Sequence, residues 1–108
     1  MSKAAAVTIA NWEAEVEKSN VPVLVDFWAT WCNPCVRLGP TIDQVAEEYE
    51  GKAKVFKVDV DAEQELAVKY GVMQIPNLLY FKDGKQVDQV LGVSPKSVIA
   101  DKLERLIG

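Results

Sequence analysis

The sequence predicts an α/β domain, a central mixed β-sheet of about five strands flanked by four helices. Three features lead there. Val21 to Ala29 is almost continuously apolar, the mark of a strand buried on both faces. Strand-like and helix-like segments alternate along the first part of the chain, which implies parallel pairing. Asp83-Gly84 then sits between two strand-like runs, a hairpin signal that adds an antiparallel edge.

The elements follow in order. Val7 to Ala10 reads as a short first strand. Asn11 is placed to cap a helix from Trp12 to about Lys18, whose first turns carry acidic residues suited to the dipole. Ser19-Asn20 ends it, and Pro22 lies near the start of the buried strand, where a missing N–H does least harm. A long helix runs from about Pro34 to Tyr49, with Cys35, Leu38, Ile42, Val45, Ala46 and Tyr49 at helical spacing. Pro40 falls inside it and is expected to kink it, because its ring removes an interior N–H. Gly51 terminates it. Lys54 to Val60 alternates as a strand, and Glu63 to Tyr70 suits a short helix stopped by Gly71. Asn77 to Phe81 and Gln86 to Leu91 form the hairpin, with Gly84 marked as a structural turn residue. Ser94-Pro95 opens a last helix with Val98, Ile99, Leu103, Leu106 and Ile107 on one face.

At 108 residues there is room for one domain, spanning 1–108. Hydrophobic residues form 49% and charged residues 26%, an ordinary globular balance that argues against disorder. Twelve basic against sixteen acidic residues leave a net charge of −4, which argues against nucleic-acid partners. The chain has no histidine, so histidine general bases and histidine metal sites are excluded. With two cysteines, a four-thiolate zinc site within one chain is excluded as well. The longest apolar stretch, Val21 to Trp31, is interrupted by Asp26 and too short for a membrane span. The start, Met1 to Val7, lacks the apolar core of a signal peptide, and the expected location is cytoplasmic.

Cys32-Asn33-Pro34-Cys35 carries the chemistry. It falls where the buried strand ends and the long helix begins. There the first-turn N–H groups are unpaired, the helix dipole is positive, and Pro34 presets helix entry. A thiolate at Cys32 is stabilised by all of these, so its pKa is expected below that of an ordinary thiol. Cys35, one turn in and on the apolar face, is expected to stay buried. A structural disulfide is a weaker reading: closing a four-residue loop constrains the unfolded chain by only about 2 kcal/mol. A metal half-site would need ligands from carboxylates or a second chain. A close cysteine pair beside a βαβ pattern in a reducing compartment favours dithiol redox chemistry.

Val25-Asp26-Phe27-Trp28-Ala29-Thr30-Trp31-Cys32-Asn33-Pro34-Cys35 resembles the active-site segment of thioredoxins. The resemblance continues through Pro40, Lys57 with Asp59, Tyr70-Gly71-Val72, Ile75-Pro76, Phe81-Lys82-Asp83-Gly84 and Gly92, and covers essentially the whole chain. It implies a thioredoxin fold and a protein disulfide reductase, a general electron donor in which Cys32 attacks and Cys35 resolves. No bound cofactor is implied, only the redox-active Cys32–Cys35 disulfide. The implied partners are disulfide-containing proteins and a separate reductase, either an NADPH-dependent flavoprotein or a ferredoxin-linked one. A monomer is expected.

Asp26 breaks an apolar strand. Its two readings are a carboxylate at a solvent-facing edge and a buried carboxyl whose pKa is raised by desolvation. The resemblance implies the second, with Asp26 moving protons to and from Cys35. Lys57 shares a strand face with Val55 and Asp59. A surface lysine is its plain reading, and the resemblance implies that its ammonium approaches Asp26. Pro76 would be trans by default, whereas the resemblance implies a cis bond packed against the cysteine pair. Trp31, Asn33, Pro34, Val60, Gln74, Ile75, Pro76, Gly92 and Val93 are the expected substrate-docking residues, with Trp28 beneath them and Pro40 in a structural role. Trp12 reads as ordinary core.

The chain departs from the family pattern at Asn33 and Gln74, where glycine is usual, at Asn77, where threonine is usual, and at Val36, where lysine commonly follows the second cysteine. These positions bear on partner choice. A disulfide oxidase or isomerase on the same fold usually carries histidine between its cysteines, and this chain has none. A pure binding module would keep its role after both cysteines became serine. A cysteine-ligated iron–sulfur dimer would betray itself by colour.

Overall fold

The computed structural model describes residues 4–108; Met1, Ser2 and Lys3, which open the stretch read for a leader, lie outside the described residues. Five strands form one sheet in the order β1-β3-β2-β4-β5: β1 (Ala5–Ala6), β2 (Val23–Trp28), β3 (Lys54–Asp59), β4 (Asn77–Lys82) and β5 (Lys85–Leu91). β1, β3 and β2 are mutually parallel, and β4 and β5 run antiparallel, as the hairpin signal required. The helices are α1 (Asn33–Glu48), α2 (Gln64–Lys69) and α3 (Lys96–Glu104), preceded by a π-helical turn at Glu13–Glu17.

β2 is the centre of the sheet, and Val23 to Phe27 are buried throughout. Its side chains alternate between two apolar layers. Leu24 faces Leu38, Ile42 and Val45 of α1 and Ile99 and Leu103 of α3. Val23, Val25 and Phe27 face Trp12, Val16 of the π-helical turn and Leu66 of α2. Each such large side chain, fully buried, contributes about 1.5–3 kcal/mol. Asp26 shares the Leu24 face and therefore points towards α1.

Three element boundaries differ from those read in the sequence. The first strand pairs at Ala5–Ala6 rather than Val7–Ala10. Val7 instead ends the strand by donating to the Lys57 carbonyl at 3.0 Å and burying its side chain in the core. Asn11 caps no helix. Its Oδ1 accepts from the Thr8 N–H at 2.8 Å, so the side chain closes the preceding turn. Ser94 does not cap α3 either: Pro95, with ψ 151°, occupies that position, and its carbonyl accepts from Val98 and Ile99. Val98, expected on the apolar face, is 40% exposed. α1 continues through Pro40 to Glu48.

The β4–β5 turn takes the form its residues demand. Asp83 and Gly84 both have positive φ, 54° and 80°, the pattern of a two-residue hairpin turn. A Cβ on Gly84 would lie 2.7 Å from the Glu17 carbonyl oxygen, so the turn also packs against the π-helical segment.

Candidate active site

The C-terminal end of β2 delivers the chain to α1 through Ala29, Thr30 and Trp31. Cys32 stands at the N-cap of α1 in extended backbone, φ −92° and ψ 102°. Its Sγ accepts the Cys35 N–H at 3.2 Å, a bond that satisfies one of the orphan donors of the first turn. Its carbonyl accepts from Val36 at 3.0 Å. Pro34 occupies the first turn, where its missing N–H leaves nothing unmade. Cys32 and Cys35 are joined as a disulfide, with Cα atoms 5.2 Å apart. Cys32 keeps 6% of its surface and Cys35 2%, the order expected of an outer and an inner sulfur. Ala29 is buried with them, and Trp28, Val60 and Ile75 pack against the group.

Around the sulfurs lie most of the residues read as docking positions. The Ile75–Pro76 bond is cis. The Ile75 carbonyl oxygen sits 4.0 Å from Cys32 Sγ. Gly92 donates to the Pro76 carbonyl at 2.8 Å, which ties the segment after β5 to the cis loop. Gly92 has φ 83° with nothing within 4 Å of where a Cβ would stand. Its backbone therefore favours glycine, and its surface is open. Trp31 is 67% exposed and held by its indole N–H, which donates to Asp61 Oδ2 at 2.8 Å. Asn33, Gln74 and Val93 are exposed, while Pro34 is half-buried and Pro76 buried.

Behind the disulfide a cavity of about 280 Å³ is lined by Asp26, Trp28, Cys35, Val36, Gly39, Pro40, Asp43 and Lys57. Asp26 is 1% exposed, and its Oδ1 has no hydrogen-bond partner among the described residues. Burial pushes the Asp26 carboxyl up to about 7; the Lys57 ammonium pulls it down, and the Asp43 carboxylate pushes it up. The buried reading of Asp26 therefore holds, and the solvent-edge reading does not. Lys57 sits beside Asp26 in the parallel register of β2 and β3. Its ion pair, however, is with Asp43, Nζ to Oδ1 at 3.6 Å, and the ammonium also lies 5.8 Å from the Trp28 ring centroid.

Asp43 was not singled out in the sequence. The available signal was its spacing: Cys35, Gly39 and Asp43 repeat every four residues and so share one stripe of α1. No group of three or more metal-ligating side chains occurs among the described residues. No described helix is long and apolar enough to cross a membrane.

The thioredoxin family model matches residues 3–105. Thioredoxin 1 from Nostoc sp. is 49% identical over 97% of this chain and 98% of its own length. Thioredoxin 1 from Synechococcus elongatus is 48% identical over the same shares. A solved mutant thioredoxin from Halobacterium salinarum superposes with a TM-score of 0.86, at 34% identity, covering 97% of this chain and 90% of that one. Such proteins act on disulfide substrates and depend on a separate reductase. With its sulfur pair at the mouth of α1 and a match along nearly its whole length, the chain belongs to the thioredoxin family and is a thiol–disulfide oxidoreductase.

Proposed function

We propose that this thioredoxin is a bacterial-type protein disulfide reductase, a general cytoplasmic electron donor acting as a monomer through Cys32-Asn33-Pro34-Cys35. The observation that carries the reading is the Cys35 N–H held on Cys32 Sγ at the N-cap of α1, where negative charge on that sulfur is stabilised.

In the reduced protein the Cys32 thiolate attacks one sulfur of a substrate disulfide. The substrate bond breaks, a Cys32–substrate disulfide forms, and the other substrate sulfur leaves as a thiolate. Cys35 then gives up its proton, and Asp26 takes it across the intervening cavity. The Cys35 sulfur attacks Cys32 Sγ and expels the second substrate thiolate. The substrate gains two electrons, and the pair returns to the disulfide. Asp26 suits this task because its carboxyl, at about 7, both gains and loses a proton near neutrality. The exposed face of Trp31, with Asn33, Pro34, Val60, Gln74, Ile75, Pro76, Gly92 and Val93, receives the substrate. The Ile75 carbonyl, 4.0 Å from the attacking sulfur, is positioned to pair with an extended substrate backbone. An NADPH flavoprotein or a ferredoxin-linked reductase restores the dithiol.

Insulin reduction driven first by dithiothreitol, then by NADPH with flavoprotein reductases or reduced ferredoxin with its reductase, tests the reading. Acceleration with dithiothreitol and with one reductase system supports it. No acceleration over dithiothreitol alone would overturn it.

A further inference from the structure

The Lys57 ammonium has two carboxylates within its neighbourhood and an ion pair with only one of them. Asp26 flanks it in the sheet register, buried and with an Oδ1 that has no partner among the described residues. Asp43, across the cavity on α1, takes the ion pair at 3.6 Å. Asp43 is itself fixed. Its Oδ1 also accepts the Ala4 N–H at 3.2 Å, so the main chain ahead of β1 holds the carboxylate in place. Gly39 lies beside the ammonium, where a Cβ would stand in ordinary contact, 3.9 Å from Lys57 Nζ.

We propose that Asp43 is a positioning residue of the exchange reaction: anchored by the Ala4 N–H, it holds the Lys57 ammonium and so limits the pull of that charge on Asp26, leaving Asp26 able to take up and hold the proton that Cys35 gives up. The inference rests on the proton-carrying role given to Asp26 above. The titratable groups that share the cavity with Asp26 are Lys57 from β3 and Asp43 from α1; Cys35 of α1 also lines it but is held in the disulfide, and β4 presents Leu78 alongside Asp26. Were the ammonium free to settle against Asp26, an opposite charge at close range would lower a carboxyl by about one pH unit or more. From a midpoint of about 7, a fall of about one unit cuts the protonated fraction at pH 7 from about a half to about a tenth.

The test is a cycle of Asp43→Asn and Lys57→Met, with Asp26 titrated by carbon NMR in the oxidised protein. Asp43→Asn is expected to lower the Asp26 midpoint by about one unit or more when Lys57 is present, and by less than half as much in the Lys57→Met background. Equal falls in both backgrounds would mean plain repulsion between the two carboxylates, and no fall would mean no influence; either overturns the inference. This titration involves no turnover. The proton-carrying role is judged separately, by whether Asp26→Asn slows release of the mixed disulfide and flattens its pH profile, so the two failures are distinguishable.

Discussion

A carboxyl 1% exposed, with one oxygen unpartnered among the described residues, is a cost that the fold carries at Asp26. Its sign with pH follows from the direction of the shift. The folded protein keeps a proton up to about 7, whereas the unfolded chain releases it near 3.8. The folded state is therefore penalised progressively as pH rises between those values, and fully above them. Asp26→Ala is expected to gain stability over the parent across that window, by at most about 4 kcal/mol and less by whatever the vacated space costs. Denaturant unfolding of both proteins at pH 4 and pH 8 measures the difference, and insulin reduction by the same variant should slow. Equal stability at both pH values would remove the buried-carboxyl account. Asp26 was legible in the sequence because a charge interrupted an apolar strand. Asp43 was not, because an acidic residue on an amphipathic helix looks like solvated surface until the partner strand is placed.

Elements were easiest to read where backbone chemistry and apolar period agreed. Asp83-Gly84 announced the hairpin, and both residues adopt the left-handed backbone the turn requires. Gly84→Ala is expected to destabilise by about 2 kcal/mol, from strain at φ 80° and from a Cβ set against the Glu17 carbonyl. A chemical unfolding midpoint unchanged from the parent would contradict this. Tyr80 joins β4 to α3 by donating its hydroxyl to the Ile99 carbonyl at 2.7 Å in the core. Tyr80→Phe is expected to cost about 1 kcal/mol by the same measurement. The misplacements have two causes. Ala5 and Ala6 pair along the sheet edge with exposed side chains, so no apolar pattern marks them. Asn11 and Ser94 are cap-forming types, but Asn11 spends its oxygen on Thr8, and Pro95 takes the position Ser94 would have filled.

On the scale of the whole molecule, the sheet order brings distant segments to one end. β2 leads into the cysteine pair, while the loop before β4 and the segment after β5 supply Ile75, Pro76 and Gly92. Sequence spacing could not show that convergence; it came from the family resemblance, and the parallel and antiparallel pairings account for it physically. Cys35→Ser should leave Cys32 able to attack but remove the resolving sulfur. Stable mixed disulfides with substrate should then accumulate, visible on non-reducing gels and lost on adding dithiothreitol. The central claim is that α1 primes one sulfur and shelters the other. The rate of iodoacetamide alkylation of each cysteine in the reduced protein, followed across pH, tests it most directly. Cys32 is expected to react first, with a midpoint below the value of about 8.5 for an ordinary thiol, while Cys35 lags far behind. Two cysteines reacting alike with an ordinary midpoint, or neither reacting, would contradict it.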